Sequence, residues 1–135
     1  MRRLIIKDVE SCPTIILDKE KNHFEISGNS LPEDVHGFYA PVFEWITDYL
    51  KQPNPKTELY IKLMYFNSAS TKAILDILIM LEELITNGYE AKIIWNYFEI
   101  DEDMLSTGKE LASVLQIPFD YVPFTEGWVR LMDER

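Results

Sequence analysis

Three hydroxyls fall within four residues at Ser68, Ser70 and Thr71, directly after Asn67 and at the head of a leucine- and isoleucine-rich stretch. A hydroxyl can accept a phosphoryl group, and it can also bond a backbone N–H at the start of a helix. The first N–H groups of a helix lack intrahelical partners and carry the positive end of its dipole, so that position suits Ser, Thr and Asn as caps and also holds a phosphate. Two readings follow: Asn67, Ser68 or Ser70 simply caps the helix, or one hydroxyl is a modification site. Local sequence by itself favours the cap.

Other chemistry is sparse. Glu99, Asp101, Glu102 and Asp103 form an acidic run, but they suit the first turn of a helix, with Asp101 as its cap, and lack the glycine-bearing spacing of a calcium loop. His23 and His36 have no serine or cysteine nucleophile motif beside them. The chain has no GxGxxG, Walker loop, HExxH or CxxC, and its five glycines are scattered. Nothing in these residues points to an enzyme. An aromatic pocket for a small ligand, lined by Trp95, Tyr97 and Tyr65, is a rival reading; core packing is the plainer one.

The formal charge of −10 argues against nucleic acid or an anionic membrane as ligand, because both require a basic face. It leaves a basic protein surface as the natural partner, or serves only solubility. The single cysteine, Cys12, allows no internal disulfide and suits a reducing compartment. MRRLIIKDVE has too few apolar residues for a signal peptide, and Asp76, Glu82 and Glu83 interrupt the longest apolar run. A soluble, cytoplasmic protein is expected.

The elements that must position the hydroxyls read as an α/β chain, a single domain over residues 1–135. Leu4 to Ile6 is a short edge strand. Thr14 to Leu17 and Phe24 to Ser27 flank a polar turn and predict a hairpin whose second strand ends at Gly28. Ser30, Leu31, Pro32, Glu33 is a capping-box pattern, so a helix is expected there, broken near Gly37 to Ala40 ahead of Pro41 and resuming to about Lys51. Val42, Trp45, Ile46, Tyr49 and Leu50 make its buried stripe.

Leu59 to Phe66 reads as a central strand with both faces covered, Leu59, Ile61, Leu63 and Tyr65 on one side and Tyr60, Met64 and Phe66 on the other. The helix after it closes at Asn87-Gly88 in a left-handed cap. Ala91 to Phe98 is the next strand, a helix runs from Asp101 to about Leu115, and Phe119 to Phe124 is a last short strand that Pro123 either places at an edge or ends. Gly108, in mid-helix, implies close packing or lost stability. The tail Met132 to Arg135 is expected to fray. Such alternation predicts an N-terminal hairpin followed by a parallel β-α-β-α-β unit with right-handed crossovers.

EISGNSLPE (Glu25 to Glu33), YAPVFEWITDYL (Tyr39 to Leu50), LMYFNSASTKAILDIL (Leu63 to Leu78) and WNYFEIDEDMLSTGKELA (Trp95 to Ala112), followed by Pro118-Phe119, together resemble the SiaC family of bacterial regulatory phosphoproteins. The resemblance covers nearly the whole chain and implies a STAS-like fold with the logic of an anti-sigma-factor antagonist. It implies a non-enzymatic partner switch without cofactor: a protein kinase phosphorylates the hydroxyl after the central strand and a metal-dependent protein phosphatase removes the phosphate. The unmodified protein binds and activates a diguanylate cyclase, raising cyclic-di-GMP and favouring biofilm growth.

Carried onto this chain, the phosphoacceptor is Ser68, where the family usually has threonine, with Ser70 and Thr71 as alternatives. The partner-binding surface is Asn67, Ser68, Ala69, Ser70, Thr71 and Lys72. Lys72 is the cation of that turn and either screens the phosphate or is a solvated lysine. A constitutive binding module of the same fold is the other reading the residues allow.

Overall fold

The computed structural model describes residues 1–7 and 11–124. Alternating apolar residues pair into one six-stranded sheet whose spatial order is the chain order. β1 (Leu4–Ile6), β2 (Thr14–Asp18) and β3 (His23–Ser30) form an antiparallel meander. From β3 onward every step is parallel. α1 (Val35–Tyr49) leads to β4 (Lys56–Phe66), α2 (Ser68–Thr86) to β5 (Glu90–Phe98), and α3 (Glu102–Ser113) to β6 (Phe119–Phe124). The expected hairpin and parallel unit are present, and β6 takes the edge position.

Because each crossover advances one strand in the same direction and crossovers are right-handed, the three helices share one face. The core lies between them and the sheet. Ile26, Leu59, Ile61 and Ile93 meet Val42, Trp45 and Ile46 of α1 and Ile74, Ile77 and Leu78 of α2. Trp45 stacks on Tyr49 with ring centroids 5.2 Å apart, and Phe24 packs against both.

The expectation that both faces of the central strand would be covered is therefore corrected: among the described residues no helix lies on the other face, where Tyr60 is exposed. That face is closed by polar pairs. Ser27 Oγ donates to Glu25 Oε2 at 2.8 Å, Lys62 Nζ stands 3.6 Å from Glu25 Oε1, and Lys92 bridges Glu58 and Asp120 on the two flanking strands.

Other expectations change as well. Ser30 does not cap a helix; it is the last residue of β3, and Asp34 caps α1 by accepting from Gly37 N–H at 3.0 Å. α1 then runs unbroken through Pro41. The carbonyl that Pro41 leaves without a donor belongs to Gly37, and both residues are exposed, so water can satisfy it while the apolar stripe on the opposite side holds the helix.

β3 likewise continues past Gly28, which takes φ +100°, and the register steps from Gly28↔Leu63 to Asn29↔Tyr65. The extra residue in β4 reverses the alternation beyond it. Tyr65 becomes 59% exposed and Phe66 turns inward onto Trp95, the reverse of the expected pattern. α3 ends at Ser113 rather than Leu115, and the expected fraying of Met132 to Arg135 falls outside the described residues.

Gly108 is a point of close approach, as its mid-helix position suggested. A Cβ there would lie 2.6 Å from Trp95 Nε1, whose N–H donates to the Met104 carbonyl at 3.0 Å. Gly108→Ala is expected to lower stability by about 1–3 kcal/mol in urea unfolding, the overpacking cost exceeding the gain in helix propensity. A stabilised Gly108→Ala protein would show that α3 does not press on the indole as described.

Candidate functional site

The hydroxyl cluster lies where β4 turns into α2, at the carboxyl end of the parallel strands. Asn67 is the cap, with extended backbone and its Oδ1 accepting from Ser70 N–H at 2.8 Å. Its carbonyl receives the Thr71 N–H at 2.9 Å and the Thr71 hydroxyl at 3.0 Å. Of the three caps the sequence left open, geometry selects Asn67, and Ser68 becomes the first helical residue.

The three hydroxyls then separate by environment. Ser70 is fully buried, and its hydroxyl donates to the Ser30 carbonyl at 2.8 Å while accepting from Ser30 Oγ at 2.9 Å. With those two protons committed, the Tyr39 hydroxyl donates to Ser30 Oγ across 2.6 Å. Each oxygen in the chain Tyr39–Ser30–Ser70 spends its proton once, and the relay joins α1, the end of β3 and the start of α2. Burial pushes the Tyr39 phenol up to about 12, the Ser30 hydrogen bond opposing that rise and the nearby Cys12 adding to it. Thr71 is half-buried and tied to Asn67, as above. Ser68 is exposed, as is Ala69 beside it. Lys72, also exposed, donates to both carboxylate oxygens of Asp76 at 2.8 and 3.0 Å.

The residues Asn67 to Lys72 thus occupy one turn, but only part of it faces outward. Ser68, Ala69 and Lys72 are accessible, whereas Ser70 belongs to the interior. Ser30 and Tyr39, absent from the candidate residues, are what hold the turn. A signal for Ser30 was available: it shares the inward parity of Phe24 and Ile26, so a continued strand would have placed its hydroxyl inside. Tyr39 carried one too, three residues before Val42 and seven before Ile46 on the same helical stripe, but its hydrogen-bond partner is brought to it only by the fold.

Among the described residues, Trp95 and Tyr65 do not face a common pocket. Trp95 is fully buried, Tyr65 is exposed, and the void between sheet, α1 and α2 is lined by other side chains and has a volume of about 10 Å³, room for no more than one water. Asp101 caps α3 by accepting from Met104 N–H at 3.0 Å, with Glu102 and Asp103 in its first turn. Among the described residues no group of three or more His, Cys, Asp or Glu side chains is placed to hold a metal, and no helix is long and apolar enough to cross a membrane.

Comparison with known proteins points one way. The family model described as SiaC family regulatory phosphoprotein matches residues 6–124. An uncharacterized protein of Pseudomonas aeruginosa (strain UCBPP-PA14) is 29% identical over 119 residues, covering 88% of this chain and 94% of its own length. The crystal structure of apo-SiaC from Pseudomonas aeruginosa superposes with a TM-score of 0.83 at 28% identity, over 90% of this chain and 99% of that one. SiaC in its complex with the diguanylate cyclase SiaD, which it activates, superposes with a TM-score of 0.84 at 28% identity and the same coverage.

The relay and the exposed serine respond differently to substitution. Ser70→Ala is expected to cost about 1–3 kcal/mol, since it strands the Ser30 hydroxyl in the interior. Ser68→Ala should stay within about 0.5 kcal/mol. Urea unfolding of the two proteins checks the contrast, which equal losses would contradict. The raised phenol gives a second check. A folded pKa above the unfolded 10.0 stabilises the protein fully below pH 10, and that contribution is lost as pH rises through about 12. Between those values stability should fall more steeply for the parent than for Tyr39→Phe.

Proposed function

The chain belongs to the SiaC family of regulatory phosphoproteins, and from that premise we propose that it is a non-enzymatic partner switch whose phosphoacceptor is Ser68. The observation that carries the choice of residue is the contrast within one turn: Ser68 is exposed at the first helical position, while the Ser70 and Thr71 hydroxyls are bonded to Ser30 and Asn67. A kinase can reach Ser68 without unfolding the turn. Reaching Ser70 would require breaking the buried relay.

In the modification, Ser68 Oγ attacks the γ-phosphorus of a nucleoside triphosphate as the bond to the β-phosphate oxygen breaks. The hydroxyl proton passes to a base on the kinase and the nucleoside diphosphate leaves. A metal-dependent phosphatase reverses the state by hydrolysis. The product carries about −1.5 to −2 charge at pH 7. The fold tolerates it at the positive end of α2. A partner packed over Ser68 does not, because an unpaired dianion in an interface costs several kcal/mol of desolvation.

The partner in the unmodified state is a diguanylate cyclase, by analogy with the complex of the relative, and its activation raises cyclic-di-GMP in the cytoplasm and favours biofilm growth. Ser68, Ala69 and Lys72, the exposed residues of the turn, form the centre of the contact, and the buried Ser70 supports it from within. The cap-only version of a constitutive module loses its motive, since Asn67 performs the capping.

The test is peptide mass spectrometry of the protein isolated from its host, with partner titration alongside. A phosphate on Ser68 is expected, and Ser68→phosphoserine should weaken cyclase binding at least tenfold while Ser68→Ala binds as the parent does. A well-covered, unmodified Ser68 peptide across growth conditions, or equal binding by all three forms, would overturn the reading.

A further inference from the structure

Ser68, Lys72 and Asp76 are spaced four residues apart and form one row along α2, and the present hydrogen bonds use only its second half: Lys72 holds both oxygens of Asp76. We infer that phosphorylation of Ser68 exchanges the partner of Lys72, from the carboxylate one turn ahead to the phosphate one turn behind, and leaves the Asp76 carboxylate bare. The inference rests on Ser68 being the acceptor.

Three features of the row favour the exchange. Helical side chains lean toward the N-terminus, so the lysine stem points naturally at residue 68 and must be turned back to reach residue 76. An anion four residues before a lysine is also the better of the two orders, and Lys72–Asp76 is the poorer one. Finally, a phosphate offers about −1.5 to −2 charge against −1 for the carboxylate. The existing pair is weakly held: the side chains are 71% and 41% exposed, so water screens it and little opposes its opening.

The outcome is a signal longer than one residue. At 1.5 Å rise per residue, Asp76 lies about 12 Å along the axis from Ser68. A hydroxyl followed by a neutral ion pair becomes a partly neutralised phosphate followed by an isolated carboxylate. A partner lying along α2 therefore meets a changed charge pattern over two turns.

The loops at the same end of the sheet add Glu33, Asp34 and His36 before and within α1, and Glu99 and Asp101 before α3. Their field acts equally on every variant of the row, so differences among variants isolate Lys72.

The experiment places phosphoserine at position 68 by genetic encoding, so no kinase is needed. The second phosphate pKa is followed by phosphorus NMR and the Asp76 carboxyl by carbon NMR, in the parent, Lys72→Gln and Lys72→Arg. Lys72→Gln should raise the phosphate pKa by about 0.3 unit, and Lys72→Arg should restore it. Phosphorylation should move the Asp76 carboxyl carbon resonance more in the parent than in Lys72→Gln. A phosphate pKa indifferent to Lys72→Gln, or an Asp76 shift of equal size in both backgrounds, would overturn the exchange. Absence of phosphate from Ser68 in the host would instead overturn only the choice of acceptor, since the encoded protein reports on the row either way.

Discussion

The buried hydrogen bond from Ser70 Oγ to the Ser30 carbonyl is the constraint on which the site depends. It pins the first turn of α2 to the end of β3, and the Tyr39 hydroxyl extends the same relay into α1. A buried polar group that loses its partner is costly, so the relay has few alternative arrangements. With Ser70 fixed inward and Asn67 fixed as cap, the helical turn leaves Ser68 with one direction to face, which is outward. An exposed hydroxyl is held in place by a buried one.

Topology supplies the surroundings. Parallel strands with right-handed crossovers bring the carboxyl ends of β3, β4 and β5 to one edge, so the starts of α1, α2 and α3 lie there together. The flanking starts carry the acids Glu33, Asp34, Asp101, Glu102 and Asp103, several of which satisfy helix N–H groups. A phosphate added at the middle helix enters an already negative edge. That setting gives the formal charge of −10 a local meaning.

The one-sided layout also explains the uneven strand faces. β4 buries Leu59, Ile61 and Leu63 beneath the helices while Tyr60 and Lys62 look the other way. The extra residue at Met64 then turns Phe66 onto Trp95 and frees Tyr65 just ahead of the site. Bulges are frequent beside functional turns because they re-aim the chain without ending the sheet.

The sequence by itself determined the element order, the parallel half of the sheet, the Asn87-Gly88 and Asp101 helix ends and the turn that carries the hydroxyls. These follow from local periodicity and capping chemistry, which a few neighbouring residues express. It also carried the family, through motifs spread along the chain. Only the tertiary structure decided which hydroxyl is outside. Ser68, Ser70 and Thr71 are alike in chemistry, and their separation depends on Ser30 and Tyr39, residues 40 and 31 positions from Ser70, arriving at one point. The helix start at Asp34 and the reversal at Tyr65 were hidden for the same reason. A capping-box pattern is local, but whether Ser30 serves as a cap or as the end of a buried strand depends on what packs over it.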